Sequence, residues 1–202
     1  FTALLMAYYR QSKRRTAEFL ETLLGQPCSP GLTVKIQTHV TAAARPGYEE
    51  LAAALPTQEQ LNADETGTKE NNTKAWLWTF VARTFTVFAV RASRAATAVD
   101  ELLTSTFCGI VTCDRAKMYW RVGRIQWCWA HLKRDFQGLI DRGDTQAKRL
   151  GYDLRRMTCK LFEHWANYRD GTITRAAFVR RMAPVRRQVE RLLLRGIASG
   201  NQ

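Results

Sequence analysis

Apolar positions recur at three- and four-residue spacing near the start of the chain, give way to short β-branched and aromatic runs in the middle, and return to helical spacing at the end. Residues 13–24 place Ala17, Leu20, Leu23 and Leu24 on one face, which predicts a helix that Gly25 and Pro27 terminate. Ser29-Pro30 then offers an N-cap and a proline for the first position of a second helix, running to about residue 44. Helix, short glycine-containing turn, helix is compatible with a helix-turn-helix and also with two plain scaffold helices. Lys35, Gln37, Thr38 and His39 are the candidates for a groove-facing surface.

Beyond Pro56 the pattern predicts a strand over residues 60–65, ended by Thr66-Gly67 and the polar stretch 68–73. Strands over 75–81 and 84–90 follow so closely that they form a hairpin. Ser93 is expected to cap a short helix over 94–103, a fourth strand covers 107–113 with Asp114 at its end, and 124–127 supplies a fifth. A three-strand meander, a helix, then two further strands is an α/β order that matches an RNase H-like mixed sheet. From Trp129 onward helices are predicted over 130–141, 145–168 and 175–194. Asp170-Gly171 marks a turn, Thr174 an N-cap, and Pro184 a kink or break. Leu150, Leu154, Met157, Leu161 and Trp165 recur at the spacing of a packed face. The chain thus divides into a helical, helix-turn-helix-like segment (1–57), a partial RNase H-like core (58–128) and a basic helical insertion (129–202).

Charge adds a partner. The net charge is +13, and residues 129–202 carry 16 Lys/Arg against 7 Asp/Glu, so most of the excess lies in the last third. Clustered cations gain affinity for a polyanion by releasing its counterions, which points to nucleic acid, although a solvated basic helix face has the same composition. No run approaches the roughly 18 apolar residues of a membrane span. Five cysteines without paired spacing suit reduced thiols, and a cytoplasmic protein is expected. The first residue is Phe1 rather than Met, which suggests a fragment of a longer chain.

Two carboxylates carry the candidate chemistry. Asp64 lies near the end of the first strand and Asp114 at the end of the fourth, and these strands are neighbours in an RNase H-like sheet. Converging oxygen ligands suit Mg²⁺ (or Mn²⁺), and a pair of such ions supports in-line displacement at phosphorus. Each Asp read singly also suits an ordinary strand-to-turn junction, and period two puts Asp64 and Glu65 on opposite faces. Cys128-Trp129-Ala130-His131 is half of a zinc site without its other half, so a local packing or hydrogen-bonding role is expected.

Four motifs in register, Asp64-Glu65-Thr66-Gly67, Lys74-Ala75-Trp76-Leu77-Trp78, Gly109-Ile110-Val111 with Asp114-Arg115, and Cys128-Trp129-Ala130-His131-Leu132-Lys133-Arg134-Asp135-Phe136, make the chain similar to transposases of the insertion sequence 66 family. The resemblance implies a DDE-type transposase with Asp64 and Asp114 as the first two catalytic, Mg²⁺-holding carboxylates and Cys128 and His131 as a signature. It places the third residue, a Glu, downstream of the helical insertion, so neither Glu163 nor Glu190 is assigned to it. Thr68 and Ala116 stand where the family usually has aromatic residues. Transposon-end and target DNA are the implied partners, with Lys13, Arg14, Arg15, Lys35, Lys133 and Arg134 as candidate contacts, and a homo-oligomer as the active form. A truncated, catalytically dead DNA-binding fragment is the alternative reading.

Overall fold

The structure, a computed structural model, describes residues 1–142 and 144–200. The chain forms two compact units, one of Phe1–Val111 with Lys117–Arg124, the other of Thr112–Ala116 with Ile125–Gln202.

The first unit opens with α1 (Thr2–Ala7), α2 (Lys13–Leu24) and α3 (Pro30–Ala53), which pack on one another. The caps of α2 and α3 follow the sequence. Ser12 and Ser29 accept from the backbone N–H groups of Arg15 and Leu32, and Gly25 closes α2 in the left-handed conformation at φ 62°. The buried face of α2 is Thr16, Ala17 and Leu20, not the expected leucine stripe, because Leu23 and Leu24 in its last turn lie in solvent. Helix α3 does not stop near residue 44 but continues through Pro46. A run of three alanines before the proline favours the helix, and Arg45 and Glu49 pair across it at 3.7 Å, partly offsetting the lost backbone hydrogen bond.

Strands β1 (Gln60–Glu70), β2 (Thr73–Val81), β3 (Thr86–Arg91), β4 (Ile110–Cys113) and β5 (Ile125–Trp127) form one sheet in the order β3-β2-β1-β4-β5. β1, β2 and β3 are an antiparallel meander. The β1 strand is five residues longer than the pattern 60–65 predicted. The polar stretch belongs to a hairpin whose two-residue turn is Asn71-Asn72, both left-handed at φ 48° and 61°, in the register Glu70↔Thr73. That backbone matches strand twist, and asparagine tolerates it better than other side chains. Val111 N–H donates to Arg124 O at 3.0 Å and Cys128 N–H to Cys113 O at 2.8 Å, so β4 and β5 run the same way. The result is a mixed sheet flanked by helices, consistent with an RNase H-like fold.

Side-chain alternation gives the meander one buried face, with Leu61 and Ala63 of β1, Trp78 and Phe80 of β2, and Val87 and Ala89 of β3. Burying the larger of these, Leu61, Phe80 and Val87, contributes on the order of 1.5–3 kcal/mol each. Helix α4 (Ala96–Leu103) buries Ala98, Val99, Leu102 and Leu103. It begins two residues later than expected. The Ser93 hydroxyl accepts from Ala95 N–H outside the helix, and Arg94 is drawn to Glu65. A short 3-10 turn at Lys117–Arg121, which the pattern did not predict, buries Met118 and Tyr119. Gly109 sits where a Cβ would collide with the carbonyl oxygen of Gln58, and it lets Ile110 N–H reach Glu59 O at 2.9 Å at the start of β4.

In the second unit α5 (Trp129–Asp141), α6 (Thr145–Arg169) and α7 (Arg175–Ala198) pack in sequence. Their core is Phe136, Leu150, Leu154, Met157, Val185 and Leu192, with Leu161, Met182 and Val189 against it. Trp165 instead lies half exposed beside Tyr168 and Phe178. Thr174 caps α7 by accepting from Ala177 N–H, and Pro184 does not split the helix, which holds its inward residues on both sides of the proline.

Candidate active site

Period two on β1 separates two consecutive acids. Leu61 and Ala63 face inward, Asn62, Asp64 and Thr66 face solvent, and Glu65 returns to the inner side. Asp64, opposite Thr79 of β2, is exposed, and no described residue forms a hydrogen bond or ion pair with its carboxylate. Glu65 is the reverse. Its side chain is 2% exposed, its Oε2 accepts from the Tyr119 hydroxyl at 2.5 Å, and its Oε1 is ion-paired with the Arg94 guanidinium. Arg94 also lies 5.1 Å from the centre of the Trp76 ring, and Tyr119 meets Trp78 edge-on at 6.2 Å. Sequence reasoning assigned Glu65 to the face opposite Asp64 but gave no sign of these partners, the hydroxyl lying 54 residues away.

Asp114 directly follows β4 and is half-buried. Its Oδ1 accepts Ala116 N–H at 2.8 Å, a local turn bond that fixes the side chain at the strand's end. Next to it Arg115 pairs with Asp135 of α5 at 3.1 Å. The Cys-x-x-His motif sits at the junction of β5 and α5. Cys128 is the N-terminal flanking residue of α5, its carbonyl accepts from His131 and Leu132, and its N–H bonds the carbonyl of Cys113, the residue before Asp114. The Nδ1 atom of His131 is buried with no hydrogen-bond partner among the described residues. Among the described residues no group of three or more His, Cys, Asp or Glu side chains is placed to hold a metal ion. Each aspartate is a hard oxygen ligand of the kind Mg²⁺ takes one or two at a time, so the chemistry of either donor suits that ion.

The candidate DNA contacts are on surfaces. Lys13, Arg14 and Arg15 are exposed in the first turn of α2 and Lys35 is exposed on α3. On α5, Arg134 is exposed and Lys133 lies over the Phe162 ring at 4.2 Å.

The mixed, helix-flanked sheet is consistent with the RNase H-like fold of the DDE transposase class. The family model described as Transposase IS66 family matches residues 3–197, nearly the whole chain, and the chain belongs to that family. No curated protein matches it. Among the described residues no helix is long and apolar enough to cross a membrane.

Proposed function

We propose that this chain takes part in DNA transposition by hydrolysing phosphodiester bonds at transposon ends and joining the freed ends to target DNA, with Asp64 and Asp114 holding Mg²⁺ or Mn²⁺. The observation that carries this reading is the placement of the two acids. Asp64 is an exposed, unengaged carboxylate on β1 and Asp114 directly follows β4, each in a chain that belongs to the transposase family. Bound there, divalent ions would activate an attacking hydroxyl and stabilise the leaving oxygen in an in-line displacement at phosphorus. The protein's own part is positional. Asp64 offers both oxygens, the Ala116 N–H fixes the Asp114 side chain at the end of its strand, and exposed cations retain the DNA.

The third carboxylate is not assigned to this chain. Glu65 is engaged by Tyr119 and Arg94, while Glu163 and Glu190 are on α6 and α7. Residues 1–57 serve as a helix-turn-helix-like DNA-binding segment, 58–128 as an RNase H-like core and 129–202 as a helical insertion, in a protein that works as a homo-oligomer. Lys13, Arg14, Arg15, Lys35, Lys133 and Arg134 contact phosphates, and Cys128 and His131 brace the strand-to-helix junction behind Asp114. A Mg²⁺-dependent strand-transfer assay on the parent transposase tests the assignment. Asp64→Ala and Asp114→Ala are each expected to abolish joining while leaving DNA binding intact, and full activity in either variant would refute it.

A further inference from the structure

Helix α7 carries seven arginines, no lysine and a single acid, Glu190, in 24 residues. Its inward side is set by Met182, Val185, Val189, Leu192 and Gly196. Arg180, Arg187 and Arg191 lie away from that stripe, all exposed, and none has an acidic partner among the described residues. By contrast Arg195, one turn further on, pairs with Asp153 of α6 at 3.0 Å. Arg187 and Arg191 are four apart, a spacing at which like charges repel along a helix. Such a row is unfavourable in isolation and becomes favourable against a polyanion.

We infer that Arg180, Arg187 and Arg191 form a phosphate-tracking ridge by which α7 lies along the backbone of duplex DNA. The inference rests on the transposase reading above and names a DNA-contacting surface outside the six cations assigned there. Helical rise separates the three arginines by about 10 and 6 Å, a spread that reaches several successive phosphates. Guanidinium groups suit the task because their planar fork bonds two phosphate oxygens at once. The ridge presents no aromatic side chain, since the outward apolar residues within it are Ala183 and Pro184 and the next one beyond it is Leu194. Single strands are held largely by base stacking on aromatic rings, so the chemistry favours a duplex contacted through its phosphates without regard to sequence.

The test measures binding of the 202-residue chain to a short fluorescent duplex of arbitrary sequence over a range of NaCl concentrations. The variant is the triple substitution Arg180→Gln, Arg187→Gln, Arg191→Gln, and the charge-matched control is Arg10→Gln, Arg83→Gln, Arg142→Gln. Each lost phosphate contact removes roughly 0.9 from the slope of log K against log[salt], so the ridge variant should be shallower by roughly 2 to 3 and bind about a hundredfold more weakly near 0.1 M salt. The control should lose much less, and far-UV circular dichroism should show α7 retained in both. Equal losses in variant and control, or an unchanged slope in a chain that does bind duplex, would overturn the ridge and leave the transposase reading standing. A loss confined to single strands, or to anionic phosphatidylserine vesicles with duplex binding intact, would overturn it as well. Absence of any duplex binding by the unsubstituted chain would count against both.

Discussion

Replacing Tyr119 with Phe removes one oxygen atom from the interior of the first unit and tests whether the Glu65 carboxylate is held there as an ion. The ring is 0% exposed, so nothing but the hydroxyl changes, and the Glu65 side chain it donates to is 2% exposed. A hydrogen bond to a charged, buried acceptor is worth about 1.5–3 kcal/mol. The Arg94 partner is 43% exposed, and solvent screens its pairing with Glu65, so it cannot fully replace the lost donor. Tyr119→Phe should therefore destabilise the β1–β2 ladder by about 2 kcal/mol, a fall of roughly thirtyfold in native-state amide exchange protection. In a Glu65→Gln background the same change removes only a neutral hydrogen bond and should cost about 1 kcal/mol, leaving a coupling of about 1 kcal/mol in the double-mutant cycle. Exchange of the paired amides of β1 and β2, followed by NMR in the four proteins, supplies each number. Strict additivity, or a protection loss below about threefold for Tyr119→Phe alone, would show that the carboxylate gains nothing from the hydroxyl.

Two further changes probe the packing of each unit. A Cβ at Gly151 of α6 would lie 2.7 Å from both the carbonyl oxygen of Phe136 and Cγ1 of Ile140 on α5. Gly151→Ala should cost about 1–2 kcal/mol in urea unfolding, because overpacking against backbone exceeds the roughly 1 kcal/mol of helix propensity gained. A more stable variant would refute that close approach. Thr16 is 0% exposed, and its hydroxyl has no hydrogen-bond partner among the described residues. Thr16→Val, nearly the same shape without the stranded oxygen, should raise stability by about 1 kcal/mol in the same assay, and a loss would show that the hydroxyl is satisfied.

Much of this architecture was legible because local rules and tertiary packing agree. Ser29-Pro30 opens α3, Thr174 opens α7, and the period-two burial of Leu61 and Ala63 locates β1. The rest failed where one of those signals was silent. Residues 66–70 alternate without apolar side chains, so their strand character comes from pairing with β2 across a left-handed Asn71-Asn72 turn, and pairing leaves no hydrophobic pattern. Pro46 lies in a stretch of α3 exposed on all sides, where the alanine run and the Arg45–Glu49 pair only partly offset the proline and no buried face marks the continuing helix in the sequence. Of the candidate site, Asp114 at the end of β4 could be read from spacing, whereas Asp64, expected near the end of its strand, lies in the middle of the longer β1. The Glu65 partners could not, since no sequence rule links a residue of β1 to a 3-10 turn 54 positions later.

The adjacency of Asp64 and Glu65 makes that difference matter for chemistry. Two acids side by side in sequence look interchangeable as cation ligands, yet the pleat sends them to opposite sides of one strand and into opposite electrostatic surroundings. Glu65, out of water, needs its charge compensated by Tyr119 and Arg94, and every lone pair spent on them is withdrawn from any incoming ion. Asp64 stays in water with both oxygens available. Moving the acid by one position should therefore not preserve function. A chain with Asp64→Ala retains a carboxylate one residue away, but that carboxylate faces the core, and reaching the solvent side would require breaking the two contacts that tie β1 to Tyr119 and Arg94.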